Sequence, residues 1–198
     1  MESNKSRIDR RIAVRIHELR KTRKLTLEAL ARRSAVSRSM ISLIERGETS
    51  PTAALLERLA VALGVPLALL FDRPPPAAAA REPIARMRDQ PQWRDPESGY
   101  VRRNVSPPGV ASPVRIVEVK FPAGAQVAFD TGSRDIRQYQ QIWILEGSIE
   151  VTVGTARHTL RRGDCLAFLL DRPTRFRNRS RQASRYAVVI ASLPGMVS

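Results

Sequence analysis

The side chains able to do covalent or metal chemistry are few and far apart. Cys165 is the only cysteine, and His17 and His158 are the only histidines, among 198 residues. None of them has the short spacing that a zinc site uses. The serines near His17 form no nucleophile, base and orienting group that the spacing supports. No catalytic residue, metal ligand or cofactor is therefore expected. Cys165 follows Gly163-Asp164 and has Arg161 and Arg162 nearby, the positive neighbourhood that a redox-sensing thiol uses. A free cysteine is more often a small buried hydrophobe, and Cys165 is read that way. His17 and His158 are read as structural.

The chemistry that remains is non-covalent. The chain carries 34 Lys and Arg against 19 Asp and Glu, a formal charge of +15, and a field of that sign favours polyanionic partners such as nucleic acid. Residues 1–75 hold 15 of the cations against 8 anions and the rest 19 against 11, so the basicity belongs to no one end. With 42% hydrophobic and 27% charged residues the composition is that of an ordinary globular protein. No apolar run approaches the roughly 18 residues of a membrane span, and the N-terminal MESNKSRIDRR is polar, so no membrane association and a cytoplasmic location are expected. A lone cysteine fits a reducing compartment. The length exceeds one typical domain of about 100–150 residues, so two domains are expected, each with its own core.

From Ile8 to Phe71, apolar residues recur at three and four, as in Ile12, Ile16, Leu19 and in Leu55, Leu56, Leu59, Ala60, Leu63. This is the period of helices with one buried stripe. Interruptions at 23–25, 35–36, 47–51 and 64–65 divide it into about five short helices. Thr26 to Gly47 reads TLEALARRSAVSRSMISLIERG. Thr26 and Ser37 are each placed to cap a helix N-terminus. Leu30, Val36, Ile41 and Ile44 are spaced to fill one interface between two short helices, Ala31 is small where they would cross, and Ala35 sits in the turn between them. Helix, three-residue turn, helix is the expectation.

Residues 12–71 resemble the Xre family of lambda-repressor-like helix-turn-helix domains. The resemblance is carried by Leu19-Arg20, Leu30-Ala31, Val36-Ser37, Ile41-Ser42, Ile44-Glu45-Arg46-Gly47, Ser50-Pro51 and the stretch from Leu59 to Gly64 that leads on to Phe71. Two positions depart from the family pattern. Leu27 stands where the family often has a phosphate-contacting Gln, and Ala35 replaces a frequent Gly, which would strain a left-handed turn by roughly 1 kcal/mol. The resemblance implies a recognition helix from about Arg38 to Glu45 lying in the major groove, with Ser37, Arg38, Ser39, Ser42 and Leu43 facing the bases. Arg38 would pair with guanine O6 and N7, and Leu43 would touch a thymine methyl. Backbone N–H groups near Thr26 and Ser37, with Arg46 and Thr49, would contact phosphates. Arg20 and Glu45 match the family's buried ion pair. The rival to this reading is a helical protein-interaction module whose Arg38 is simply solvated.

Arg73, three prolines and four alanines follow, a semi-rigid spacer. The expected division is a DNA-binding domain at 8–72, a linker at 73–90 and a second domain at 91–198, which opens with a lead-in anchored by Trp93, Asp95, Gly99 and Tyr100. Beyond Pro113 the pattern alternates, as in Val114, Ile116, Ile142, Ile144, Ile149, Val151, Val153 and 187–191, with turn signals between the runs. Many short strands at this spacing mean a sandwich or barrel. Residues of about 113–192 resemble a small cupin, a jelly-roll barrel, through Pro122-Ala123-Gly124, the run from Gln140 to Gly147, the hairpin to Gly154, and Gly163-Asp164 through Pro173 to Asn178. The fold expected is therefore an all-α helix-turn-helix domain followed by an all-β cupin domain.

Metal-bearing members hold their ion with three histidines and a glutamate. The corresponding places here fall near Ser133, Asp135, Gln140 and Thr174, and one carboxylate with two hydroxyls and an amide makes no tight transition-metal site. No metal is expected, and the ligand pocket is expected to include Ser133, Asp135, Gln140, Ile142, Thr174 and Phe176. Alternation sends Thr174, Phe176 and Asn178 inward with Arg175, Arg177 and Arg179 outward. These readings converge on a bacterial transcriptional regulator, a homodimer on double-stranded DNA, with a metal-free barrel that senses a small-molecule effector or dimerises. The alternatives are a cupin enzyme tethered to a DNA-binding head and an antitoxin-like regulator that binds a protein partner.

Overall fold

The computed structural model describes residues 4–71, 83–110, 112–130 and 137–193. Its N-terminal head holds four α-helices, α1 (Asn4–Thr22), α2 (Leu27–Ser34), α3 (Arg38–Glu45) and α4 (Ala53–Ala62), and a 3₁₀ turn at Leu67–Leu70. The fifth helix expected from periodicity is thus only that turn. Four residues after Pro66 make no more than one winding. The apolar stripes meet as read: Ile12, Ile16, Leu30, Ile41, Ile44, Leu56, Leu59 and Leu63 are buried to 1% or less. Helix α4 stops at Gly64, whose φ of 61° lets the chain reverse. There Gly64 N donates to Val61 O (2.9 Å) and Val65 N to Ala60 O (3.0 Å), which satisfies carbonyls the helix end leaves open. Among the described residues no helix is long and apolar enough to cross a membrane.

Ten strands follow: β1 (Gln92–Arg94), β2 (Val101–Asn104), β3 (Val114–Phe121), β4 (Gln126–Phe129), β5 (Arg137–Glu146), β6 (Ser148–Val153), β7 (Ala156–Arg161), β8 (Cys165–Leu169), β9 (Thr174–Arg177) and β10 (Ser184–Leu193). They form two antiparallel sheets, ordered β1-β2-β3-β10-β5-β8 and β4-β9-β6-β7, the two-sheet arrangement of a jelly roll. The reversal from β5 to β6 needs Gly147, at φ 72°, where a Cβ would come within 3.1 Å of Ala183 O. Alternation sets the faces as expected in β5, where Gln138, Ile142 and Ile144 are buried while Tyr139, Gln141 and Trp143 are exposed. In β9 Thr174 and Phe176 are buried and Arg175 and Arg177 exposed.

Head and barrel share one apolar core, which separate cores on either side of a linker would not. The lead-in makes the joint. Residues 72–82, most of the expected linker, lie outside the described residues, but β1 and β2 extend the larger sheet and also touch the head. Trp93 packs on Phe71 with ring centroids 5.4 Å apart, Arg102 lies over the Phe71 ring at 5.1 Å, and Asn104 Nδ2 donates to Ala68 O (3.4 Å). From there rings continue inward, Trp93 to Tyr100 (5.8 Å), Tyr100 to Phe121 (5.8 Å) and Phe121 to Tyr186 (6.3 Å). An unbroken line of aromatic contacts therefore joins the head to the barrel interior.

Candidate nucleic-acid interface and barrel cavity

Two capped helices build the head's polar edge. Thr26 Oγ1 accepts from Ala29 N (3.0 Å) at the start of α2, and Ser37 Oγ accepts from Met40 N (3.2 Å) at the start of α3. Between them Ala35 takes the left-handed conformation, φ 52° and ψ 33°, as the turn required. Ile41 and Ile44 point into the head. The opposite edge of α3 is left to solvent: Ser37, Arg38 and Ser39 are exposed, and Ser42 and Leu43 half-buried. Thr26 is exposed and Thr49 half-buried.

Arg46 is more engaged than its sequence context implied. Its guanidinium reaches the Glu48 carboxylate at 2.6 and 2.9 Å and also donates to Ser42 Oγ. Glu48 was not singled out in the sequence, although its place two residues on is within reach of the guanidinium. Any anion approaching Arg46 has to compete with it.

The helices are locked by a pair of charges. Arg20 Nε and Nη2 donate to the two Glu45 oxygens (2.6 and 2.7 Å), and Nη1 donates to Leu25 O (3.0 Å). His17 Nδ1 lies 2.7 Å from Glu45 Oε2, a contact consistent with a structural role. Burial opposes the charge on Glu45, but hydrogen bonds from Arg20 and His17 outweigh it and hold the carboxyl below its ordinary pKa. The bond to Glu45 raises the Arg20 pKa. The carboxylate thus anchors the C-terminal end of α3 to α1.

Inside the barrel lies a cavity of about 60 Å³. Of the expected pocket residues, Gln140, Thr174 and Phe176 line it. Ile142, fully buried, belongs to the apolar core and does not. Ser133 and Asp135 lie outside the described residues. Gln140 and Thr174 bring an amide and a hydroxyl, donors that do not suit a divalent transition metal. Among the described residues no group of three His, Cys, Asp or Glu is placed to hold one.

The sequence reading missed other lining residues, Gln138, Tyr100, Arg102 and Tyr186 from the barrel and Glu57 and Leu67 from the head. Period-two alternation back from Gln140 would have found Gln138. The head's contribution had no local signal. Burial pushes both phenols well above the ordinary tyrosine range, with smaller charge effects from Arg102, which lowers each. Cys165, expected to be buried, is exposed. As the first residue of β8 it faces outward, opposite Trp143.

Comparison with known proteins agrees with this geometry. Residues 16–70 match the helix-turn-helix family HTH_3. The chain is 25% identical over 192 residues to the HTH-type transcriptional regulator SutR of Escherichia coli K12, covering 90% of this chain and 93% of that one. An HTH_3 family transcriptional regulator from Vibrio cholerae has the same fold, with a TM-score of 0.72 at 23% identity over 94% of this chain and 98% of that one. Hydroxypropylphosphonic acid epoxidase from S. wedmorenis aligns over 93% of this chain and 98% of its own at 18% identity and a TM-score of 0.45, too loosely to bear on this chain's chemistry. Residues 16–70 thus belong to the Xre-type helix-turn-helix family, and the chain joins that domain to a cupin-type barrel.

Proposed function

We propose that this protein is a DNA-binding transcriptional regulator that reads an operator through α3 and responds through its barrel. The observation that carries the reading is the solvent-facing edge Ser37-Arg38-Ser39 at the N-terminus of α3, set on a helix pair whose family match spans the head. That edge enters a major groove N-terminus first, where Arg38 offers two parallel donors to guanine and Leu43 an apolar contact to thymine. Ser39 and Ser42 fill out the base-facing side. Thr26, Ser37, Arg46 and Thr49 set the register on phosphates.

The protein works as a homodimer in the cytoplasm, with two heads about one DNA turn apart. The outer face of the larger sheet supports this. Val114, Ile116, Tyr139 and Trp143 are exposed large apolar residues, and Ala187, Val189 and Ala191 of β10 lie in register between β3 and β5. A contiguous apolar face of this kind marks an interaction surface, and a second copy of the chain covers it. The barrel acts as a sensor, not as an enzyme, with Gln140 and Thr174 at two of the places where metal-bearing relatives hold their ion.

Selection of bound fragments from genomic DNA at stated ionic strength tests the reading. A shared inverted repeat is expected. Recovery of fragments without a common sequence, or of none, overturns it.

A further inference from the structure

The barrel cavity has more hydrogen-bonding capacity than the protein uses. Gln138 and Thr174 are each 3% exposed, Tyr100 4% and Tyr186 3%. Among the described residues the Gln138 amide, the Thr174 hydroxyl and both phenol hydroxyls make no side-chain hydrogen bond, although all four residues line the cavity. Polar groups withdrawn from bulk water are ordinarily partnered, so these need a partner that enters the space between them. At about 60 Å³ the space exceeds the roughly 10–15 Å³ that one water requires.

Charge narrows the class of that partner. Two ionisable side chains of opposite sign line the cavity, Glu57 from α4 of the head and Arg102 from β2, at 4% and 6% exposure. A ligand with a net charge would set a like charge against one of them where little solvent screens it. A net-neutral molecule would not. The rest of the lining is apolar and aromatic, with Phe121, Phe129 and Phe176 as its largest faces.

The walls also differ in what they can do. Most of them are strands tied into two hydrogen-bonded sheets. Glu57 and Leu67 instead come from the head, on a helix and a 3₁₀ turn outside both sheets.

We infer that the barrel cavity binds a small, net-neutral amphipathic molecule of about amino-acid size, uncharged or zwitterionic, and that the DNA-binding head completes the site through Glu57 and Leu67. This rests on the reading of the barrel as a sensor. It also gives that reading a route, since a molecule larger than the closed cavity enters by displacing the head, and a ligand alters DNA affinity only through a difference between two states.

The test uses four probes of one shape, valine, isobutyramide, isobutyrate and isobutylamine, titrated calorimetrically into the full-length protein without DNA. Saturable binding of valine or isobutyramide, at least tenfold tighter than of the singly charged pair, is expected. Leu67→Trp, which fills the cavity from the head, is expected to weaken that binding at least tenfold. Gln138→Leu, close in volume, should weaken it too and guards against misfolding of the first variant. Equal or tighter binding of a charged probe, no saturation by any of the four, or unchanged affinity in both variants overturns the inference. Because no DNA is present, failure of operator selection leaves this result standing, and failure here leaves the operator result standing.

Discussion

The carboxylate of Asp95, in the barrel's lead-in, accepts a hydrogen bond from the backbone N–H of Ala53 at 2.9 Å, so the first turn of α4 is capped from the other domain. Asp95 is 2% exposed, and its second oxygen accepts from Ser98 N (2.9 Å) and Ser98 Oγ (2.5 Å). A negative charge at a helix N-terminus is favourable, and this one also closes the turn that carries Tyr100 into the core. Asp95→Ala should therefore cost about 1–3 kcal/mol, the range for a buried bond to a charged group. Equilibrium denaturation measures the loss. Hydrogen exchange should show the first turn of α4 opening earlier, and equal protection in both proteins would remove Asp95 from the joint.

The Glu45 cluster predicts a pH dependence. Its carboxyl titrates below the ordinary 4.5 because bonds from Arg20 and His17 outweigh burial. A group whose folded pKa is depressed contributes its stability above the unfolded pKa and loses it as pH falls through the folded value. Unfolding free energy should thus fall as the solution is acidified below about pH 4.5. Glu45→Gln should flatten that acid limb while lowering stability near neutrality. Arg20→Ala, which strands a largely buried carboxylate, should cost about 3–5 kcal/mol. Denaturant titrations from pH 7 to pH 3 decide it, and an acid limb as steep in Glu45→Gln as in the parent would place the sensitivity elsewhere.

Ala35 supplies a prediction of the opposite sign. Its φ of 52° is costly for a residue with a Cβ and free of that cost for glycine. Glycine's looser unfolded chain offsets part of the gain. Ala35→Gly should stabilise the head by about 0.5–1 kcal/mol net, read as a higher denaturation midpoint with unchanged slope. A lower midpoint would mean that the Ala35 methyl makes a contact worth more than the strain.

What was legible in the sequence and what was not separate along a physical line. The caps at Thr26 and Ser37, the turn at Ala35, the inward set of α3 and the alternation of β5 and β9 depend on neighbours within a few residues, and spacing records those. Gln140, Thr174 and Phe176 were found for the same reason. The joint between Phe71 and Trp93 and the approach of Glu57 to the barrel pair residues remote in sequence, across a segment whose prolines read only as a spacer. No period encodes them. Cys165 was misjudged because a general preference for burial was applied to a strand whose outward position the Trp143 register determines.

Arg38 and the edge around it predict how DNA binding fails. An exposed guanidinium at the N-terminal end of α3 pairs with one base and gives sequence information there, whereas a phosphate contact gives none. Arg38→Ala should weaken operator binding by about 1–3 kcal/mol and relax the preference at a single position of each half-site. A uniform loss across unrelated sequences, with a smaller salt slope, would make Arg38 a phosphate contact.

The outer sheet face predicts how assembly fails. Trp143 is 52% exposed, and Ala187 of β10 and Cys165 of β8 are its register partners on either side. The ring therefore stands near the middle of the apolar face that a second copy would cover, where aromatic residues contribute most to association. Trp143→Arg adds a charge that cannot be hydrated once that face is covered, so the dimer should dissociate at concentrations where the parent stays intact. Because the side chain points away from the cavity, the monomer should keep its fold and its melting profile. Sedimentation velocity across a concentration series reads the change directly. A variant with an undiminished dimer would move the interface to another surface, and operator binding should then keep its two-site geometry. If the monomer does form, affinity for an isolated half-site should hold while affinity for the full inverted repeat drops to the same level.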